Sequence, residues 1–221
     1  MADTIAAIAS GLAHGGIGIV RVSGEQALAV GDAVVRLKKG SLAETRSHTA
    51  RYGFVYDGET PVDEVIALVM RAPHSYTGED TVEIQCHGGP LIMRRILEAT
   101  LKNGARLAEP GEFTKRAFLS GRLDLSQAEA VMELIQSQNE FARRASLEQL
   151  KGSVGEKIRE LRGRILHQLA FIEAALDDPE HISLEGYPQQ LEQELEPLIG
   201  EVRQLLKGAE RGKILSDGIR T

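Results

Sequence analysis

Apolar and polar positions alternate strictly from Thr81 to His87. Val82, Ile84 and Cys86 fall on one side, and Thr81, Glu83, Gln85 and His87 on the other. The pattern predicts a strand with an apolar back and a front carrying a carboxylate, an amide and an imidazole. Such a front is either solvent-facing or the wall of a polar pocket. The Gly88-Gly89-Pro90 stop that follows lets the backbone approach a neighbour closely, because two residues there lack a Cβ. Short apolar runs predict further strands over 17–22, 53–56 and 64–70, with hairpin composition at Asp57-Gly58. Helical spacing of Ala27, Val30 and Val34 predicts a helix over 23–35. A second amphipathic helix spans 91–102 and is ended by Asn103-Gly104. Strands mixed with a few helices imply an α+β domain over residues 1–119.

From Leu125 onward the periodicity is helical. Ser126 and Glu129 fit a capping box, in which each side chain satisfies the other residue's free backbone N–H. Leu147, Leu150, Val154, Ile158, Leu161, Ile165, Leu169, Ile172 and Leu176 give one apolar stripe, read as a single long helix. Gly152, Gly155 and Gly163 lie within it, each costing on the order of 1 kcal/mol against alanine if exposed. Asp177-Asp178-Pro179 stops that helix. A further one carries Leu191, Leu195, Leu198, Val202, Leu205 and Leu206, with Pro197 as a kink or restart. Residues 214–221 have a strand-like composition. The long stripe needs more cover than two or three helices supply.

Composition narrows the class. Of 221 residues, 42% are hydrophobic and 26% charged, the balance of an ordinary soluble globular chain. No apolar run is as long as a membrane span and no signal pattern opens the chain, so a cytoplasmic location is the expectation. The lone cysteine, Cys86, excludes an internal disulfide and is expected to be buried packing. Net charge is -6, with 14 acidic against 13 basic residues up to Ser120 and 18 against 13 after it. A chain this acidic is a poor unaided binder of RNA backbone, which relies on Lys and Arg. Lys115, Arg116, Arg122, Arg143 and Arg144 form the densest basic region, and pairing with Glu112, Asp124 and Glu140 is the favoured reading of it. The six histidines show no metal-ligand spacing, so no metal site is expected.

Three segments carry a family resemblance. They are Asp3 to Ala9 with Gly15 to Gly24, Ser75 to Pro90, and Ala108 to Ala130, which includes Gly111-Glu112-Phe113-Thr114-Lys115-Arg116-Ala117-Phe118 and Gly121-Arg122-Leu123-Asp124-Leu125. In order and spacing the chain resembles the tRNA modification GTPase family MnmE (TrmE). The resemblance implies an N-terminal α+β domain of the tetrahydrofolate-binding type over 1–119 that binds 5-formyltetrahydrofolate and forms a homodimer. It implies the first part of a helical domain over 120–212 and a lead-in to a GTPase domain over 213–221. The chain would then be about the first half of such a protein. GTP, potassium and magnesium belong to that further domain. Within these 221 residues Gly212-Lys213 lacks the rest of a G-x-x-x-x-G-K-[ST] loop, so no GTPase activity is expected of them. The longer protein would act with the partner MnmG (GidA) on tRNA, adding an aminomethyl-type group at C5 of the wobble uridine.

The resemblance assigns the folate to Arg21, Glu83 and Arg122. A guanidinium fork at Arg21 suits folate carboxylates. The carboxylate of Glu83 can accept paired hydrogen bonds from the amino-pyrimidinone edge of a pterin. Arg122 matches a position where the family carries a basic ligand. Each also has a plain structural reading: Arg21 paired with a neighbour, Glu83 facing solvent, Arg122 bridging to Asp124. Glu79 and Asp80 are expected to fix their loop or cap a backbone N–H. For His87 a hydrogen bond to a backbone carbonyl is favoured over a proton-donor role. No general acid or base is assigned. Two other functions fit the same residues, a non-catalytic dimerisation scaffold and a stand-alone folate-dependent methyltransferase.

Overall fold

The computed structural model describes residues 3–11, 13 and 15–217, and the chain divides into two compact units, Met1–Leu123 and Asp124–Thr221. The first contains β1 (Ile5–Ile8), β2 (Ile17–Ser23), α1 (Ala27–Val34), β3 (Val35–Leu37), β4 (Thr49–Asp57), β5 (Thr60–Met70), β6 (Thr81–His87), α2 (Pro90–Lys102), β7 (Arg106–Leu107) and α3 (Glu112–Leu119). Its strands form one sheet in the order β3-β4-β5-β6-β2-β1-β7, antiparallel except where β7 runs parallel to β1.

The alternation seen in the sequence becomes two unlike faces. Val20, Val55, Val65, Ala67, Val69, Val82, Ile84 and Cys86 point to one side and are buried with Val34, Met93, Ile96 and Ala99 of α1 and α2. Burial of a Val, Leu or Ile side chain contributes roughly 1.5–3 kcal/mol, so this face holds the sheet and helices together. Within the first unit, no described helix packs along the opposite face in that way. There Ile17, Tyr52, Phe54 and Ile66 are exposed beside the polar row of β6.

The second unit contains α4 (Leu125–Gln136), α5 (Glu140–Leu150), α6 (Ser153–Asp177) and α7 (Tyr187–Asp217). Three expectations change here. The capping box of α4 is formed by Asp124 and Gln127, two residues earlier than Ser126 and Glu129. Asp124 Oδ1 accepts from Gln127 N at 2.8 Å and Gln127 Oε1 accepts from Asp124 N at 2.9 Å. A carboxylate is as good an N-cap as a hydroxyl, and Ser126 instead donates its hydroxyl to Asp124. The long helix is two helices, α5 and α6, because Gly152 takes φ 90° and caps α6. The apolar stripe continues across the break, so spacing alone does not reveal it. Residues 214–217 belong to α7, not to a strand, and the helix continues through Pro197 without a restart. The remainder of the expected strand-like stretch, 218–221, lies outside the described residues.

The start of α4 is fastened to the end of α5 by two amide side chains. Gln127 Nε2 donates to Leu150 O at 2.9 Å, and Gln149 Nε2 donates to Ser126 O at 2.8 Å. Among the described residues no helix is long and apolar enough to cross a membrane.

Candidate functional site

Antiparallel register fixes the centre of the candidate site. Arg21 of β2 lies directly opposite Glu83 of β6, both on the uncovered face. Arg21 Nε and one terminal nitrogen both reach Glu83 Oε1, at 2.8 and 2.7 Å. The side chains are 23% and 13% exposed, so the pair is drier than a surface ion pair yet still open to a ligand. Glu83 Oε2 has no protein donor among the described residues. It is left as an acceptor for a ligand.

Two aromatic rings flank the pair. The Arg21 guanidinium carbon is 5.3 Å from the Tyr76 ring centre and 5.4 Å from that of Phe113. Arg122 lies over the same Tyr76 ring at 5.2 Å. Each distance is within cation–π range, so one ring holds two like charges close together. Arg122 has no carboxylate partner among the described residues, and the expected bridge to Asp124 is not formed. It borders an open cleft of about 590 Å³ lined by His48, Met70, Pro73, His74, Ser75, Tyr76 and Arg122.

The segment bearing Tyr76 is held from beneath. Tyr76 and Thr114 share a hydroxyl–hydroxyl hydrogen bond of 2.9 Å, tying the loop to α3. Ser23, Thr77 and Thr81 form a buried hydroxyl cluster, with Ser23 donating to Glu79 at 2.8 Å. Asp80 accepts from Ala72 N at 2.8 Å. Glu79 and Asp80 therefore fix the loop, as their sequence position predicts. Gly78 takes φ 78°, and a Cβ there would meet Ser120 Oγ at 2.7 Å.

Below the loop, Arg116 is 10% exposed and binds Asp3, Glu79 and Glu112 together. It donates to Asp3 O and Asp3 Oδ1 at 2.7 Å each and to both oxygens of Glu79 at 3.1 Å. Burial opposes its charge, but the bonds to Glu112, Glu79 and Asp3 outweigh that and hold it protonated more firmly than usual. Arg106 joins from β7, at 2.7 Å from Glu112. Glu112 is pulled down to about 2 by its hydrogen bonds from Arg106, the Glu109 N–H and Arg116, against the cost of burial. Asp3 is likewise lowered to about 2, mainly by Arg106 and then Arg116. Arg116 is thus a buried clamp and not part of a basic surface, and Arg143 is spent on Glu140 at 2.6 Å.

His87 differs from expectation. Its Nδ1 meets Asp63 Oδ1 at 2.8 Å, and its backbone N–H donates to Asp63 Oδ2 at 2.8 Å, so the partner is a carboxylate and not a carbonyl. That hydrogen bond, with the charge of Asp63, raises the imidazole above its ordinary value. Cys86 is buried, as its strand face predicts, and burial followed by the nearby Asp63 charge pushes its thiol up to about 11. It is therefore a poor nucleophile. Among the described residues no three His, Cys, Asp or Glu side chains gather as metal ligands.

Sequence reading brought forward Arg21, Glu83 and Arg122, and the pairing of Arg116 with Glu112, but missed Tyr76 and Phe113. Both lie in the quoted motifs, but their contacts with Arg21 join segments far apart in the chain and no local pattern announces them.

The sequence profile described as GTP-binding protein TrmE N-terminus matches residues 4–122, and that of the MnmE helical domain matches residues 125–220. Curated relatives named tRNA modification GTPase MnmE are similar over 99% of this chain. Those of Lachnoclostridium phytofermentans, Symbiobacterium thermophilum and Geobacillus kaustophilus are 53%, 52% and 48% identical to it. The chain spans about half, 48%, of the length of each.

Proposed function

Because this chain belongs to the tRNA modification GTPase family MnmE, we propose that its N-terminal domain binds 5-formyltetrahydrofolate at Arg21, Glu83 and Arg122. The observation that carries this reading is the free Oε2 of Glu83 beside two aromatic rings and an unpaired guanidinium. Glu83 would accept from the amino-pyrimidinone edge of the pterin through Oε2, while Arg21, bonded to Oε1, fixes the orientation of the carboxylate. Tyr76 and Phe113 present apolar ring surface at the height of a flat heterocycle. Arg122 would take an anionic group. The bound folate supplies the one-carbon unit, and these side chains orient it.

The whole protein would act on tRNA with MnmG (GidA) at C5 of the wobble uridine. GTP hydrolysis, with its potassium and magnesium, would reside in residues beyond the G-x-x-x-x-G-K-[ST]-free sequence described above. Homodimerisation through the N-terminal domain belongs to the same reading. Exposed Ile17, Tyr52, Phe54 and Ile66 on the uncovered sheet face support it, since contiguous exposed apolar residues mark association surfaces. Sedimentation equilibrium reads this directly: a species of twice the chain mass is expected, and a monomer at every concentration removes the pairing.

Calorimetric titration with 5-formyltetrahydrofolate tests the site. Saturable binding is expected, weakened about tenfold or more by Glu83→Ala, because a hydrogen bond to a charged group contributes about 1.5–3 kcal/mol. Arg21→Ala should weaken it similarly. Binding untouched by either substitution would leave the scaffold alternative in place.

A further inference from the structure

The cleft beside Arg122 gathers basic side chains from three separate segments. His48 stands just before β4, His74 in the turn after β5, and Arg122 after α3. Among the described residues no carboxylate lines it. The hydroxyl of Ser75 is already given to Glu79 O at 2.6 Å, His48 Nδ1 meets Ser47 Oγ at 3.1 Å and the Tyr76 hydroxyl meets Thr114 at 2.9 Å, so the groups left to a ligand are His48 Nε2, the His74 imidazole and the Arg122 guanidinium. His48 is the described non-glycine residue with a positive φ, 58°, a conformation that ordinary side chains adopt at a cost. Its backbone is pinned there by a 2.7 Å hydrogen bond from its N–H to Val69 O. Tyr76 is a wall of this cleft and also carries Arg21 on its ring at 5.3 Å. Tyr76 is thus a wall shared by the cleft and the Arg21–Glu83 pair.

We propose that this cleft is the subsite for the anionic tail of the folate, and that it selects tails bearing several γ-linked glutamates over a single one. The inference rests on the folate reading above. A pterin at Glu83 is separated from the cleft by one aromatic ring, and a chain of carboxylates passing that ring meets a guanidinium and two imidazoles, with no carboxylate among the described lining residues. Nucleic-acid phosphates share the same charge, but the wall common to the pterin acceptor and the cleft favours the tail of one ligand.

The test is calorimetry of the 221-residue chain with 5-formyltetrahydrofolate in its monoglutamate and triglutamate forms. It uses the unaltered chain, the double variant His48→Gly with His74→Ala, and the reversal His74→Glu. Both histidines are exposed, and glycine takes a φ of 58° freely, so folding is not at stake. The triglutamate should bind about tenfold tighter to the unaltered chain, as one or two added hydrogen bonds to its carboxylates allow. The ratio should fall to near one in the double variant and below one in His74→Glu. Equal affinity of the two forms for the unaltered chain overturns the inference and leaves the folate reading standing. No binding of either form overturns the folate reading, and the tail subsite with it. Tighter binding of a short single-stranded RNA than of the triglutamate, lost in the double variant, assigns the cleft to phosphates and overturns the proposal.

Discussion

Asp63 touches His87 twice, through the ring and through the backbone N–H, and this double hold makes the imidazole a measurable reporter of the uncovered face. Its raised value means that the charged pair forms below the ordinary histidine range and is lost as pH rises through the folded value. NMR titration should place the His87 midpoint above about 6.5 in the unaltered chain. In Asp63→Asn it should return toward the ordinary value. Arg116 carries a larger load. Arg116→Met leaves Glu112 and Glu79 without their shared cation and should destabilise the N-terminal domain by about 3 kcal/mol, the low end for a broken buried pair because Asp3 remains half exposed. Urea unfolding measures it. Arg21 and Glu83 were legible from sequence because strict alternation places both on one face, and register then brings them together. Tyr76 and Phe113 were not, since they reach Arg21 from a loop and a helix far from β2 in the chain.

Strands and helices of the N-terminal domain follow the sequence closely where periodicity is strong. The expected strands over 17–22 and 81–87 are found, and the helix over 91–102 ends at Asn103-Gly104 as its composition requires. The strands Ile5–Ile8, Val35–Leu37 and Arg106–Leu107 went unread, because runs of two to four residues show no period. In the helical half the apolar stripe hid the break at Gly152. Two glycines from that stripe should now behave in opposite ways. Gly152→Ala forces a side chain into the left-handed region and should cost about 1–2 kcal/mol. Gly163 lies inside α6 with open space where its Cβ would be, so Gly163→Ala should stabilise by about 0.5–1 kcal/mol. Paired thermal melts of the two variants check both signs.

The N-terminal domain is closed by charge at one end, where β1, β7, α3 and the loop bearing Tyr76 meet at Asp3, Arg106, Glu112, Arg116 and Glu79. Asp3 and Glu112 are held at about 2, below their unfolded values near 4. Such carboxylates contribute stability above the unfolded value and lose it as pH falls toward the folded one. The melting temperature should therefore drop between about pH 4 and 2, and Glu112→Gln should flatten that limb. The same network fixes the loop and helix whose rings flank Arg21, so site and stability share a foundation. The central claim is that a pterin is received at Glu83, and a crystal structure of this chain with 5-formyltetrahydrofolate tests it most directly. The account predicts the amino-pyrimidinone edge within about 3 Å of Glu83 Oε2, with the ring beside Tyr76 and Phe113. A pterin bound elsewhere, with Glu83 still held by Arg21 alone, would contradict it.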